Sequence, residues 1–136
     1  MKKTLLILTI LFISIEFYAQ EIQSEYKFKS EKTKSRFLSG VEWNYIELDS
    51  LILYNDNTFY RKRFYHYHQI NNLAQKGDWK IHDGILKLYV KKENEEFDSE
   101  KWEDIEKQND FKISRRKLIP FPSYEMFTDR KLKLIK

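Results

Sequence analysis

The chain of 136 residues is long enough for one compact domain and too short for two. A charged fraction of 34% beside 16% aromatic residues is too apolar for a disordered chain and too polar for a bundle of membrane helices. The absence of cysteine excludes disulfides, thiolate metal sites, a cysteine nucleophile and a lipid-modified N-terminal cysteine. The three glycines form no phosphate-binding loop, and no G-x-S-x-G esterase motif occurs.

The first 20 residues have the pattern of a secretory signal peptide. Met1–Lys3 is a short basic start, Leu5–Ile15 is almost continuously apolar, and the chain becomes charged after Gln20. A membrane anchor needs about 20 apolar residues, and Glu16 ends this run well short of that length. We therefore expect cleavage after Ala19 or Gln20 and a periplasmic or secreted protein that is not integral to the membrane.

After the signal peptide we expect a polar, loosely ordered segment at 21–36 and a single β domain at 37–136. Apolar and polar residues alternate with a period of two through the middle of this domain, and turn-forming residues separate the alternating runs. At least six short strands joined by tight turns predict an all-β fold. The most economical arrangement is an antiparallel meander that closes into a small barrel or half-barrel, because closure removes exposed sheet edges.

The clearest predicted hairpin is centred on Asp83 and Gly84. This pair is preferred in two-residue type I′ turns, where both positions have positive φ and Gly adopts it without strain. Folding the chain there pairs Trp79 with Leu88 and collects the apolar side chains on one face, with the neighbouring lysines on the other.

A second hairpin is predicted upstream, where residues 55–57 form a three-residue turn that pairs Leu53 with Phe59. The strand that leaves this turn is rich in aromatic and basic residues, and a loop is expected at 71–76. Alternate positions of the strand belong to opposite faces: Arg61, Arg63, Tyr65 and Tyr67 on one, and Tyr60, Lys62, Phe64, His66 and His68 on the other.

The remaining stretches have less regular patterns. Trp43 and Tyr45 alternate with polar residues and predict an opening strand, and Leu132 and Leu134 predict a last strand. The acidic stretch 92–110 fits either one short helix or a long loop with sparse strand positions.

One part of the sequence resembles a known family. Leu51–Phe59, followed by Lys76–Ile81 and Leu86–Leu88, resembles the lipocalin-like small exported proteins of Gram-negative bacteria. The shared pattern is a strand, an Asp/Asn-rich turn before Thr-Phe, a K-G-x-W strand and a short hairpin, and it covers about residues 41–90. The resemblance implies an up-and-down barrel or half-barrel, with an interior suited to an apolar ligand, and it implies no catalytic residues.

The aromatic residues indicate where a ligand would bind. With 10 Phe, 9 Tyr and 3 Trp, more rings are present than a small barrel easily hides, so some should line a concave or flat surface. Cations among these rings suit an amphiphile with an apolar body and an anionic head. Single-stranded nucleic acid is disfavoured as a partner by export and by the small positive excess. The candidate ligand-binding residues are Tyr60, Arg61, Arg63, Phe64, Tyr65, Tyr67 and Trp79.

These observations predict an exported, non-enzymatic binding or envelope-associated module without a cofactor, and they leave its oligomeric state open. One alternative is a small metal-dependent hydrolase centred on His66 and His68, with His82 as a third zinc ligand. Another alternative is a protein–protein inhibitor or immunity-type factor that binds an envelope protein through the acidic stretch 92–110.

Overall fold

The computed structural model describes residues 20–35, 38–67, 69–95, 100–122 and 130–136. Within these ranges all regular structure is β, and eight antiparallel strands follow one another around a closed barrel in which the first strand pairs with the last. The predicted all-β meander is therefore confirmed. The strands are β1 Ile22–Ser35, β2 Glu42–Tyr54, β3 Thr58–His66, β4 Ile70–His82, β5 Ile85–Asn94, β6 Glu103–Ser114, β7 Lys117–Pro120 and β8 Leu132–Leu134.

The predicted signal peptide, except for Gln20, lies outside the described residues. Among the residues that are described, no helix has the length and hydrophobicity needed to cross a bilayer.

The Asp83-Gly84 hairpin forms in the predicted register, with Trp79 opposite Leu88. Asp83 and Gly84 both have positive φ, at 51° and 73°, as a type I′ turn requires. This turn joins β4 to β5 at one end of the barrel.

The hairpin between β2 and β3 also has the predicted register, because Leu53 lies opposite Phe59. Asn57 takes the positive φ of 63° that closes a three-residue turn, a conformation that asparagine tolerates well. The Asp56 carboxylate accepts hydrogen bonds from the hydroxyl of Thr58, at 2.6 Å, and from its backbone N–H, at 3.0 Å. These bonds lower the pKa of Asp56 and hold the turn in place.

The polar composition of 21–36 predicted loose order, but the described part of this stretch, residues 21–35, is mostly strand. Ile22–Ser35 forms β1, a strand of 14 residues that pairs with β2 over most of its length and contacts β8. Tyr26 and Phe28 point inward and pack against the core. A strand that gains its stability from pairing with distant segments has no strong local signal, which explains the difference.

Two further stretches contain strands where a loop was expected. Residues 71–76 belong to β4, where Leu73 lies opposite Arg63 across the β3–β4 pair. Within 92–110, the described residues contain no helix: β5 continues to Asn94, and Glu103–Ser114 forms β6, which pairs with β5. Residues 96–99 of this stretch lie outside the described residues.

The predicted opening strand and the strand before the 55–57 turn are one continuous strand, β2. The predicted last strand is confirmed as β8, with Leu132 fully buried. The apolar core fills the end of the barrel that carries the turns 55–57, 83–84 and 115–116, and we call this the apolar end. Its buried members are Leu51, Leu53, Phe59, Trp79, Leu86, Leu88, Val90, Phe111, Leu118 and Leu132.

Candidate functional site

The interior changes from apolar to charged along the barrel axis. On β2 the inward positions run from Leu53 through Leu51 to Asp49, and on β3 they run from Phe59 to Arg61 and then Arg63. Because side chains two residues apart share one face of a strand, all of these point into the barrel. We call the end beyond Asp49 the polar end.

A buried ion cluster marks the boundary between the two ends. The Nε and Nη2 groups of Arg61 donate to the two oxygens of Asp49, at 2.9 and 2.6 Å. Arg63 places its Nε 3.7 Å from the same carboxylate, and all three residues are at most 3% exposed. The Arg61 guanidinium also lies 5.2 Å from the centre of the Phe111 ring. Cations are thus held inside the barrel by fixed geometry.

A second polar network joins β4, β5 and β6 in the interior. The amide nitrogen of Gln75 donates to Glu93 at 2.5 Å, and the Lys107 ammonium lies 3.4 Å from the same carboxylate oxygen. Within the described residues, the Gln75 Oε1 and Asn109 Nδ2 atoms are buried and have no hydrogen-bond partner. Unsatisfied buried amide groups are costly, so this part of the interior is suited to polar ligand atoms.

Three tyrosines form a cluster at the polar end. The Tyr45 ring meets that of Tyr65 edge to face, with centroids 5.4 Å apart, and lies 4.8 Å from that of Tyr67. The hydroxyl oxygens of Tyr45 and Tyr65 are 2.5 Å apart. This hydrogen bond, helped by burial, raises the pKa of Tyr65 to about 12. We refer to these three residues as the tyrosine cluster.

A cavity of about 220 Å³ lies beside the tyrosine cluster, and we call it the polar cavity. Arg130 donates from Nε to Glu47 at 3.0 Å, and its guanidinium lies 5.9 Å from the centre of the Phe28 ring. Within the described ranges, neither Lys32 nor Lys34 forms an ion pair. The lining residues are Phe28, Ser30, Lys32, Lys34, Tyr45, Glu47 and Arg130.

Among the described residues, the pairing of β1 with β2 continues past the last pair that β2 forms with β3. Pairing between β2 and β3 ends at Ile46, whereas β1 and β2 pair as far as Ser35 and Glu42. We call this two-stranded extension, residues 32–35 and 42–45, the ribbon. Trp43 lies opposite Lys34, and Tyr45 opposite Lys32, so one face of the ribbon interleaves rings with cations next to the polar cavity.

The structure divides the predicted ligand-binding residues between two sides of the barrel wall. The predicted alternation along β3 is confirmed, so these residues do not form one continuous surface. Arg61, Arg63, Tyr65 and Tyr67 belong to the inward face, whereas Tyr60 and Phe64 belong to the outward face.

Trp79 belongs to neither surface. It is 7% exposed in the apolar core, and its indole N–H donates to the backbone oxygen of Tyr54 at 3.1 Å. Trp79 therefore does not share a surface with the tyrosine cluster, because its hairpin lies at the apolar end of the barrel.

Tyr60 lines a second cavity, of about 320 Å³, on the outer wall where β3, β4 and β5 meet. The cations of this groove are already engaged. Lys91 pairs with Asp78, Lys92 lies 3.3 Å from Asp104, and the Lys76 ammonium lies 4.1 Å from the centre of the Trp102 ring. The polar cavity, with its two lysines outside any ion pair of the described chain, is the better candidate for an anionic ligand.

The histidines do not assemble a three-ligand zinc site. His66 lies opposite Ile70 at the start of β4, whereas His82 ends the same strand. Twelve residues of extended chain separate these ends by roughly 40 Å. His68 lies outside the described residues, and no group of three metal-ligating side chains occurs within them. His82 as a third zinc ligand is therefore wrong, and a hydrolase centred on His66 and His68 stays a prediction.

Sequence reasoning missed most residues of the polar cavity. Lys32 and Lys34 lie in the stretch expected to be loosely ordered, and Arg130 follows a segment without strand pattern. The one local signal was the alternation of Trp43 and Tyr45 with polar residues, which predicted a strand. It did not show that β1 and β3 are the neighbours of that strand.

Comparison with known protein families, with curated proteins and with solved structures gives no match for this chain. The fold itself defines the class: a small, closed barrel of eight antiparallel strands in meander order. Within this class the polar cavity and the tyrosine cluster are the features that bear on function.

Proposed function

We propose that this protein is an exported, non-enzymatic binding module that takes the anionic head of an amphiphilic ligand into the polar cavity. The observation that supports this most directly is the composition of the cavity wall. Among the described residues of that wall, three cationic side chains, Lys32, Lys34 and Arg130, accompany one carboxylate, Glu47, which is already engaged by Arg130. An anionic group entering the cavity gains charge-assisted hydrogen bonds from the two lysines.

The apolar part of the ligand has a surface of matching character next to the cavity. The tyrosine cluster and Trp43 offer ring faces and edges, and Trp43 and Tyr67 are 43% and 39% exposed. Such rings contribute large apolar contact areas while their polar atoms stay solvated. The ligand would therefore lie along the inner face of the ribbon.

The size of the cavity limits what the ligand is. At about 220 Å³ it is smaller than the 300–1,000 Å³ typical of pockets for drug-sized molecules, so it fits a head group or a short ligand. The apolar end is filled, since Leu51, Leu86 and Leu88 are all 0% exposed. A long acyl chain would therefore run over the tyrosine cluster and not into the core.

Titration with dodecanoate, followed by tryptophan fluorescence, tests the proposal. Trp43 lies on the ribbon beside Lys34, whereas Trp79 is buried at the apolar end, so saturable quenching should come from Trp43. Trp43→Phe should abolish the response. The methyl ester of the same acid, which lacks the anionic head, should bind more weakly than the acid.

Charge variants identify the site. Replacing Lys32 and Lys34 together by Gln should weaken dodecanoate binding roughly 3- to 30-fold, since exposed ion pairs each contribute about 0.3–1 kcal/mol. Lys87→Gln, on the outer face of β5, is the matched control and should bind as the wild type does. Equal affinity for acid and ester, or an unaltered affinity in the double variant, would contradict a site for an anionic head.

Export is supported by the N-terminal sequence pattern alone, and it has its own test. Expressed in a Gram-negative host, the protein should be recovered from the periplasm or medium with Gln20 or Glu21 at its N-terminus. A product that still begins at Met1 and stays in the membrane fraction would contradict export.

A further inference from the structure

Three lysines lie side by side on the outer wall of the barrel, on three successive strands. Lys133 of β8 lies directly opposite Lys27 of β1 on one side and directly opposite Lys117 of β7 on the other. All three side chains are exposed to solvent. Since neighbouring strands are 4.7–4.9 Å apart, the three positions together span about 10 Å. We call these three residues the lysine row.

The lysine row has no carboxylate at either end. The residue directly opposite Lys117 on its other side is Ser114 of β6, and the residue opposite Lys27 on its other side is Ser50 of β2. Within the described ranges, none of the three lysines forms an ion pair. Like charges directly opposite each other destabilise a sheet, so the protein by itself bears an electrostatic cost along this row. An anionic partner would remove that cost.

Another pair of opposed lysines shows how the chain itself relieves such repulsion. Lys80 of β4 lies directly opposite Lys87 of β5, and Lys87 lies directly opposite Asp110 of β6. A carboxylate therefore completes that set of neighbours. In the lysine row, serines occupy the corresponding positions, so its charge is left for a partner outside the chain.

Further cations lie beside the lysine row. Arg115 and Arg116 form the exposed turn between β6 and β7, directly before the β7 member of the row, and Lys131 is exposed directly before β8. Arg115 has a φ of 53°, in the left-handed region that favours glycine or asparagine, so a cation is kept where another residue would suit the backbone better. The acidic residue nearest to the row along β1 is Glu25, which is only partly exposed.

We infer that the lysine row, with the two arginines beside it, binds a linear anionic polysaccharide whose charged groups contact successive strands. Lysine ammonium groups act as point charges, which suits an array of sulfate or carboxylate groups along a chain. A single planar anionic group would be recognised better by the forked guanidinium of arginine. The inference goes beyond the proposed function and does not depend on it.

The shape and composition of the wall favour a polysaccharide over other polyanions. The outer wall of a closed barrel is convex, so a flexible chain can follow the row around it. A DNA duplex is stiff over many base pairs and would contact fewer of these cations. The outward positions of β7 and β8 are Lys117, Ile119 and Lys133, which offer no aromatic ring of the kind that stacks on single-stranded nucleic acid.

Binding of dextran sulfate, with uncharged dextran as the matched polymer, tests the inference. Isothermal titration calorimetry at low salt should show saturable binding of dextran sulfate and no binding of dextran. The affinity should fall as salt is added, because binding releases counterions from the polymer. Polyglutamate and a DNA duplex should bind more weakly than dextran sulfate. Failure to bind dextran sulfate, or tighter binding of polyglutamate or DNA, would overturn the inference.

Two double variants with the same change of charge localise the contact. Lys27→Gln with Lys133→Gln should weaken dextran sulfate binding about 3- to 30-fold, because two exposed ion pairs with the polymer are lost. Lys80→Gln with Lys87→Gln is the matched control, since it removes an opposed pair of lysines from another part of the wall and should leave the affinity nearly unchanged. Equal weakening in the two double variants would overturn the assignment of binding to the lysine row.

Charge reversal at the centre of the row separates binding from folding. Lys133→Glu places a carboxylate between two lysines, so it should raise the midpoint of thermal unfolding of the free protein while it weakens dextran sulfate binding. A lowered midpoint, or an unaltered affinity, would contradict the inference. Quenching by dodecanoate should be retained in this variant, because Lys133 does not line the polar cavity. Failure of either proposal can therefore be recognised without the other.

Discussion

Arg61 reaches diagonally across the β2–β3 pair to bind both carboxylate oxygens of Asp49. The residue directly opposite Arg61 is Leu51, and the residue directly opposite Asp49 is Arg63. The hydrogen bonds from Arg61 to Asp49, at 2.9 and 2.6 Å, therefore join diagonal neighbours across the strand pair. Both partners are buried, at 0% and 3% exposed. This pair separates the apolar end from the polar end and brings cations into the barrel interior.

Asp49→Ala should lower the free energy of unfolding by about 3–5 kcal/mol, because two buried guanidinium groups lose a shared carboxylate. Chemical denaturation measures this change, with Glu106→Ala on the exposed face of β6 as the control. Combining Asp49→Leu with Arg61→Met should cost less than Asp49→Ala, because it removes both charges of the close pair. If Asp49→Ala unfolds at the wild-type denaturant concentration, the ion cluster contributes nothing to stability.

Gly84→Val should destabilise the fold by on the order of 1–3 kcal/mol. Gly84 has a φ of 73°, and a side chain there would meet no atom within 4 Å, so the cost comes from the backbone conformation alone. Asp83→Asn in the same turn should leave the melting temperature nearly unchanged, because asparagine favours positive φ as well. A valine variant with wild-type melting would show that the turn accepts another conformation.

Gly77→Ala should destabilise the protein for a different reason. The register of β4 and β5 shifts between Lys76 and Gly77, and a methyl group at Gly77 would overlap the backbone oxygen of Tyr89. The expected cost is about 1–3 kcal/mol or more, as for overpacking of a core. Gly77 lines the cavity on the outer wall and not the polar cavity. The folded fraction of the variant should therefore still show quenching by dodecanoate. Wild-type stability would mean that the strands separate easily at this bulge.

Trp79→Ala should cost about 3–5 kcal/mol of stability, since Trp79 is 7% exposed within the apolar core. Trp43→Ala provides a matched comparison for the same change of side chain. Trp43 is 43% exposed on the ribbon, so its replacement should change the unfolding free energy much less. Equal losses in the two variants would contradict the assignment of Trp79 to the core.

Stability should fall in the alkaline range as Tyr65 ionises. The pKa of Tyr65 is raised from 10.0 to about 12 by the hydrogen bond with Tyr45, by burial and by nearby negative charge. The neutral hydroxyl is therefore favoured in the folded state, and its contribution is complete below pH 10 and lost as the pH rises toward 12. In Tyr65→Phe, the decrease of unfolding free energy over this range should be smaller than in the wild type, with Tyr89→Phe as the control. Identical decreases in all three proteins would show that Tyr65 does not carry this pH dependence.

The turns and the alternation next to them were predictable from local sequence. Asp83 and Gly84 specify a two-residue turn through their φ preferences, and the spacing of Trp79 and Leu88 around that turn sets the register. For the same reason, the division of β3 into two faces was predictable, because side chains of any strand alternate. The closed meander followed from the number of such hairpins.

The tertiary structure alone decided which face of each strand points inward and which distant strands meet. The polar stretch Ile22–Ser35 becomes β1 only because β2 and β8 lie on either side of it. Arg61 and Arg63 looked like surface cations, and they became interior ones because Asp49 lies on the neighbouring strand. Local patterns record turn geometry and periodicity, whereas the polar cavity joins Lys32, Tyr45 and Arg130 from separate parts of the chain. That juxtaposition depends on barrel closure, which long-range pairing determines.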